Sequence, residues 1–529
     1  MTQNQRLTCT ISSGILLSLP WLETFPGTIL LIAFVPLLFT EDFYASYKDK
    51  KTNGELFLYI SLTFFIWNTA STWWIANASI AGAATAILLN TLLFSTVFWL
   101  YHITKRTAGN LIGSLSLVAY WTAFEYGYLN AEISWPWLNL GNGFAHDIRL
   151  IQWYEYTGTL GGTIWVLTVN LFIFDLVKKL LKPVRPSAMI RNIAETLLLI
   201  AIPITFSLVR FSSYEEKAAP CTVTVIQPNI DPYQVTSINE QCRTLIGLID
   251  SSENKNVQYY LAPEAALDGP IWENSLQNNG WLKQIRKNMT RFPHAYMITG
   301  ATTFKLYKTD ERIPATARRS STTDNFFSSF NSALQLDTSK NIKVYHKSKL
   351  VVGVEKMPYA ETLKFLKPVV EKLGGSFASH GTQNYRSVFS TAGNNARIAP
   401  LICYESVYGE FVTGYIRNGA NLIFILTNDG WWGNTPGYRQ HLSFASLRAI
   451  ETRRSIARSA NTGISAFINQ RGELVKTLGW GIRGSISATL NTNSKITFYT
   501  EHGDFLGKIA VWISAGICLL MLWHFLKSR

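Results

Sequence analysis

The chain has 529 residues, 47% hydrophobic and 13% aromatic, with only 16% charged against about 25% in ordinary soluble domains. Few charges and many aromatics exclude a disordered chain, and five cysteines over this length exclude a small disulfide scaffold. Lys and Arg number 48 against 34 Asp and Glu, a net charge of +14. Many of the basic residues lie in short loops beside apolar segments instead of clustering with aromatics on one face, so nucleic acid is not the expected partner.

A mean hydropathy of +0.10 averages over a split chain. The first 210 residues and the last 24 are mostly apolar, and the stretch between them is soluble in character. At the start, Cys9–Leu19 and Thr28–Phe39 are apolar but interrupted by Pro20 and Pro26, which break a helix ladder. They read as two short spans or one broken hairpin. A cleaved signal peptide is the competing reading, but apolar sequence continues and no small-residue cleavage pattern follows. From Leu56 to Thr104 no side chain is formally charged. At about 20 residues per span, that stretch holds two helices turning near Asn77–Ser79. Further spans are expected at Gly109–Leu129, Leu160–Leu181, Ile193–Val209 and Leu506–Leu526. This gives a transmembrane domain over residues 1–211, with about seven spans, and a C-terminal transmembrane helix over 506–526.

Basic loops orient the spans, because short cytoplasmic loops collect Lys and Arg. With 41–55 in the cytoplasm, the loops at 102–108 and 178–192 also fall inside, as does the tail carrying Lys527 and Arg529. The segment from Val209 to Leu506 then lies outside. Within the spans, Glu125 sits in YWTAFEYGY. An intramembrane carboxylate is costly, so it is either a functional group or the centre of a structural hydrogen-bond set.

Residues 219–498 carry strand signals. TVTVIQ (222–227), VQYYLAP (257–263), AYMITGAT (295–302), RIAPLICY (397–404) and NLIFILTN (421–428) are short apolar runs bounded by turn residues. QHLSFASLRAIETRRSIARS (440–459) reads as helix, and GISAFINQRGELVKTLG (463–479) as a hairpin turning at Asn469–Gly472. Strands alternating with helices predict an α/β domain. No phosphate-binding glycine loop and no Cys/His cluster with ligand spacing accompanies them, so no cofactor and no metal is expected.

Cys403 falls where a buried strand stops and a turn begins, the position at which a sharp bend exposes a nucleophile and frees the next N–H for an oxyanion. Taken alone, a Cys after an apolar run is most often a small core residue. Glu264 closes VQYYLAPE in the same way, and Lys347 lies in IKVYHKSKL. A thiol needs a base, which Glu264 can supply, and Lys347 can offset developing negative charge. Residues 83 and then 56 positions apart do not prove a site by spacing. A Cys–His arrangement using His346, His380 or His441 competes with it. Cys221 and Cys242 would share the outer compartment, where a disulfide is permitted.

LAPEAALDG, VYHKSKLVVGVEKMPY and LICYESVYGE resemble the Glu, Lys and Cys motifs of the nitrilase superfamily. Placed between membrane spans, the domain resembles the membrane-embedded branch of that superfamily, which N-acylates apolipoproteins. QPNIDPY, SWPWLNLGNG, TNDGWWGNTPGYRQH and RAIETRRSIARSANTG extend the similarity over nearly the whole chain. The resemblance implies an αββα sandwich outside the cytoplasm. Glu264 would be the base, Lys347 the oxyanion-stabilising cation and Cys403 the acyl-bearing nucleophile, supported by Glu355, Tyr404 and Glu405. It further implies a phospholipid acyl donor, a diacylglyceryl-apolipoprotein acceptor, a monomer, and a multi-pass protein of the cell inner membrane with its catalytic domain on the periplasmic face. Tyr233, Trp431, Trp432 and Glu125 are the candidate substrate-binding residues, and 356–375 with the Trp pair is a candidate lid. The chain departs from the pattern by reading Leu350-Val351-Val352-Gly353-Val354-Glu355 where many members have a proline. A tethered amidase for small amides, or a scaffold without chemistry, are the rival readings.

Overall fold

A computed structural model describes the chain except residues 47–51, 182–185, 253, 255, 309, 315, 321–324, 360, 361, 363, 364, 366, 367, 369–378, 392, 394, 528 and 529. The chain folds as two units, Met1–Tyr214 with His502–Arg529, and Glu215–Glu501.

The first unit is helical. Gln3–Ser18 starts at a Thr2–Gln5 capping box, and Pro20 opens a short 3-10 turn immediately after it. The next apolar run is broken into Gly27–Ile29, Leu30–Ala33 and Val35–Ala45, the last beginning beside Pro36. Thr52–Thr72 follows, and a 3-10 turn at Trp73–Asn77 precedes the helix starting at Ile80. Among the described residues, five stretches are long and apolar enough to cross a membrane: Gly27–Ala45, Ile80–Asn130, Tyr154–Leu180, Pro186–Ser213 and Phe505–Lys527.

Ile80–Asn130 is two antiparallel helices reversing at Gly109, whose φ of +84° suits a residue without Cβ. The reversal is visible in side-chain contacts: the Tyr128 hydroxyl donates to Asn90 Oδ1 at 2.6 Å, and Thr104 Oγ1 lies 3.3 Å from the Tyr120 hydroxyl. Lys105, just before the reversal, lies within 2.5 Å of Glu41 and 3.3 Å of Asp42, and Lys178 pairs with Asp42 at 2.7 Å. The segments containing 41–42, 105 and 178 therefore meet at one end of this bundle. Glu125 is fully buried and satisfied by three donors: the Trp121 indole N–H (3.0 Å), the Leu140 main-chain N–H (2.8 Å) and the Thr163 hydroxyl (2.6 Å). In this unit it ties the SWPWLNLGNG segment to two helices.

The second unit contains fourteen strands among its described residues: β1 (Pro220–Gln227), β2 (Tyr259–Leu261), β3 (Leu267–Trp272), β4 (Tyr296–Leu306), β5 (Arg318–Arg319), β6 (Phe326–Leu336), β7 (Lys343–His346), β8 (Phe389–Ser390), β9 (Arg397–Ile402), β10 (Leu422–Thr427), β11 (Ile456–Ala460), β12 (Ser465–Ile468), β13 (Leu474–Leu478) and β14 (Gly484–Asn491). One sheet runs β14-β1-β2-β4-β6-β5, with β3 also paired to β4 and β7 to β6; the other runs β13-β12-β11-β10-β9-β8. The centres, β1-β2-β4 and β9-β10-β11, are parallel. Parallel strands covered on both faces need continuous apolar sequence, and LIFILT in β10 is buried throughout.

The sheets stack face to face. Tyr259 meets Phe424 edge-on at 5.4 Å, and the Ser459 hydroxyl donates across the layer to the Ile226 carbonyl. Helices Ile238–Asp250 and Gly280–Met289 cover the first sheet through Cys242, Leu245, Leu282 and Ile285. Gly409–Arg417 and Pro436–Thr452 pack on the second. The sandwich is αββα. The expected helix at 440–459 requires correction: it stops at Thr452, where Arg453 turns left-handed, and 456–460 is strand β11. Ile456–Ala460 extends the parallel pairing beside β10, a long-range gain that overrides local helical pattern. The expected hairpin is present as antiparallel β12–β13.

Candidate active site

Glu264 follows β2 at a turn in which Ala265 has φ +48°. The turn lies so close to β4 that a Cβ on Gly300 would sit 2.4 Å from the Pro263 carbonyl oxygen and 2.6 Å from Glu264 Cα. Lys347 follows β7, and its N–H continues the pairing by donating to the Asn331 carbonyl of β6. Cys403 follows β9 with φ +50° and opens a 3-10 turn, Cys403–Val407. A left-handed conformation at a non-glycine residue is held only where its surroundings enforce it.

Lys347 Nζ donates to Glu264 Oε1 and to Glu355 Oε1, each at 2.9 Å. The Asn331 amide donates to the same two oxygens at 2.7 and 2.9 Å. The Asn428 N–H reaches Glu264 Oε2 at 3.1 Å, and the Val351 N–H reaches Glu355 Oε2 at 2.8 Å. Burial pulls the Lys347 ammonium down, but Glu264 and Glu355 together hold it well above its ordinary value. Burial pushes Glu355 up, and Lys347 with the Val351 N–H outweighs it, so this carboxyl stays below the usual range. Glu355 is therefore a fixed anion that keeps Lys347 charged.

Cys403 is 7% exposed. Burial and the Glu264 charge push its thiol well above the ordinary value, against the pull of Lys347. The resting group is a thiol, so attack requires removal of its proton by a base. Glu405 is fully buried, accepting from the Tyr345 hydroxyl and the Ser348 N–H through Oε1 and from the Ile402 N–H through Oε2. It ties the Cys403 turn to the Lys347 segment, and burial pushes its carboxyl up to about 7. Tyr404 is buried edge-on against Tyr408 at 5.2 Å.

Of the three imidazoles that sequence left open, His346 pairs with Glu273 and stacks on Phe330, and His380 bonds Ser329. His441 is the one beside the nucleophile, its Nε2 3.3 Å from the Cys403 carbonyl and its Nδ1 2.9 Å from Asp429. Sequence reasoning weighed it only as a rival base, and passed over Asn331, Asn428, Asp429 and Arg458. The N-D-G and R-Q-H runs around two of them were visible, but not that they converge. Ligand-type atoms of Cys403, Asp429 and His441 lie within 4.8 Å of one another, although spacing suggested no such group. Arg458 donates to Asp429 Oδ2 at 2.6 Å, so the carboxylate already faces a cation and the donor set does not suit a metal.

The Tyr233 hydroxyl donates to the Trp431 carbonyl, and the two exposed rings meet edge-on at 5.3 Å. Trp432 packs edge-on against His441 at 5.7 Å. Most of the candidate lid 356–375 lies outside the described residues. Cys221 and Cys242 are buried free thiols.

Residues 222–496 match the carbon–nitrogen hydrolase family model, and 13–172 match that of the apolipoprotein N-acyltransferase N-terminal domain. The first match spans more than half of the sequence: the chain belongs to the carbon–nitrogen hydrolase family. It is 25% identical over 523 residues to an apolipoprotein N-acyltransferase of Chlorobaculum tepidum (96% of this chain, 95% of that one) and 25% identical over 513 residues to that of Geobacter metallireducens (93% and 91%). A solved CN-hydrolase superfamily protein of Xanthomonas campestris aligns with 51% of this chain and 90% of its own at 14% identity and a TM-score of 0.35. Within its family the chain falls in the apolipoprotein N-acyltransferase branch, a membrane-bound class of acyltransferases.

Proposed function

We propose that Cys403 takes an acyl chain from a membrane phospholipid as a thioester and passes it to the α-amine of an N-terminal S-diacylglyceryl cysteine on an apolipoprotein. The observation that carries this is Lys347 held between two carboxylates beside a buried, protonated thiol. Cys403 Sγ attacks the ester carbonyl as its proton passes to Glu264. Lys347 and the main-chain N–H of Tyr404 stabilise the oxyanion. The tetrahedral intermediate collapses to the thioester, and Glu264 returns the proton to the departing lysophospholipid oxygen. In the second half the amine attacks the thioester, and Glu264 carries the amine proton to the leaving thiolate. Glu355 takes no proton and keeps Lys347 charged and aimed.

Both substrates are membrane-anchored, so a membrane-bound enzyme gains proximity that a free domain lacks. The Lys- and Arg-bearing segments at 41–55, 102–108 and 178–192 support a protein of the cell inner membrane with residues 215–501 on the periplasmic side; that it acts as a monomer follows from the family resemblance alone. The exposed Tyr233–Trp431 pair would line the acyl path, with Trp432 behind it. A tethered amidase and a scaffold without chemistry are not favoured.

The test is intact-protein and peptide mass spectrometry after incubation with phospholipid. Wild type should gain one acyl chain on Cys403. Cys403→Ala should gain none, and Glu264→Gln and Lys347→Met should lose nearly all of it. An adduct persisting in Cys403→Ala removes the assignment, and a tethered amidase would show no adduct even in wild type.

A further inference from the structure

Beneath Cys403 lies a polar cluster that the reaction above does not use. Asp429, His441 and Arg458 are fully buried and come from the end of β10, the helix Pro436–Thr452 and β11. Asp429 Oδ1 accepts from the Thr427 hydroxyl at 2.9 Å and faces His441 Nδ1 at the same distance. Asp429 Oδ2 accepts from Arg458, whose other terminal nitrogen donates to the Ile464 carbonyl. Asp429 and Arg458 are thus both anchored, and the Trp432 ring packs edge-on against the imidazole.

The far nitrogen of that ring points at the nucleophile's backbone. His441 Nε2 lies 3.3 Å from the Cys403 carbonyl oxygen and 3.1 Å from the Ser406 hydroxyl, which itself donates to the Cys403 carbonyl at 2.8 Å. A carbonyl and an ionised carboxylate can only accept. Donation to the Cys403 carbonyl therefore requires the proton on Nε2, while Asp429 at 2.9 Å and a terminal nitrogen of Arg458 at 3.3 Å fix the Nδ1 side of the ring. That carbonyl belongs to the residue whose φ is +50°. If it swings free, the backbone relaxes toward negative φ and the sulfur leaves the Glu264–Lys347 pair.

We propose that His441, oriented by Asp429 and Arg458, is a positioning residue for acyl transfer: with Ser406 it holds the Cys403 carbonyl and so keeps the nucleophile in its left-handed conformation. The inference rests on the acyl-transfer role of Cys403 given above. It explains why an imidazole is buried next to Cys403 without serving as its base, a role that the proposed reaction gives to Glu264.

The test compares His441→Ala with His441→Gln, whose amide can donate to the same carbonyl, in the full-length protein. With phospholipid in vesicles or detergent, the Ala variant should acylate Cys403 about 100-fold more slowly, while the lipid concentration giving half-maximal rate stays unchanged. The Gln variant should recover to within about tenfold of wild type. An Ala variant that melts like wild type and acylates at its rate overturns the proposal, as does a Gln variant no faster than Ala. Should the Ala variant not fold, His441→Leu, which fills the space without donating, replaces it: acylation at least about tenfold slower than in His441→Gln at unchanged half-saturation supports the role, and equal rates refute it. Iodoacetamide alkylation of Cys403, followed by peptide mass, separates the two readings. If wild type takes no acyl chain, the proposed function fails. The positioning role then stands only if alkylation is slower in Ala and restored in Gln, and equal rates sink it.

Discussion

At Lys347 two carboxylates and one ammonium share a site almost sealed from water, and Asn331 donates to both acids from the opposite strand. Buried charges persist only when each is paired and hydrogen-bonded, so the reactive carboxylate and its cation are held in place before substrate arrives. The same logic governs Asp429. Burial alone would raise its carboxyl, but Arg458 and His441 hold it well below the ordinary range. Asp429→Asn should therefore leave the guanidinium unmatched and cost about 3–5 kcal/mol in reversible unfolding. The pH dependence has a definite sign. A carboxyl depressed in the folded state contributes stability above its unfolded value of about 4, and that contribution is lost as pH falls through the lower folded value. The Asn variant should show a flatter acid limb when melting temperature is followed downward from pH 6. Glu264 and Cys403 were legible in sequence as polar residues closing apolar runs, and Lys347 only through the motif it shares with the nitrilase superfamily. His441 was legible only as a rival base, because its neighbours Cys403 and Asp429 stand 38 and 12 positions away.

Strand ends do the positioning at the next scale. β2, β7 and β9 each lead into a residue of the candidate site, and two of the three exits bend through positive φ at Ala265 and Cys403. The β2 exit needs Gly300, because any Cβ there would collide with main-chain atoms that have no rotamer to yield. Gly300→Ala should push β4 from the Glu264 turn, costing about 1–3 kcal/mol of stability. It should also slow Cys403 acylation by about 100-fold, since displacement of a catalytic group by an ångström has that effect; a stopped time course of adduct formation would measure it. Apolar runs bounded by turn residues located β1, β2, β4, β9 and β10. Sequence pattern misread 456–460 because RSIARS carries no local strand signal, and its extended form is set by pairing with β10 and β12.

The two units of the molecule follow the two solvents in its composition. In the helical unit, acidic groups inside the bundle are matched to donors or cations, as with Glu125 and its three donors or Glu41 and Asp42 with Lys105 and Lys178. In the sandwich unit, polar groups line the strand exits instead. The proposed orientation makes a direct prediction. In a background with the native cysteines replaced, Lys217→Cys should react with a membrane-impermeant maleimide in cells with a permeabilised outer membrane, and Arg191→Cys should react only after lysis. Both side chains are exposed on the protein, so burial would not mask either. Labelling of position 191 but not 217 would invert the topology.

Order and type of the main elements follow from local chemistry: apolar runs of two lengths, proline and glycine breaks, and the placement of lysines. These act between residues a few positions apart, so the amino-acid string carries them. The convergence of Glu264, Lys347 and Cys403, the Asn331 bridge, the Gly109 reversal and the imidazole under the nucleophile arise from contacts between segments tens to hundreds of residues apart. Only the packed sandwich and bundle choose those, because burial energy is shared over the whole core and no short stretch encodes its partner.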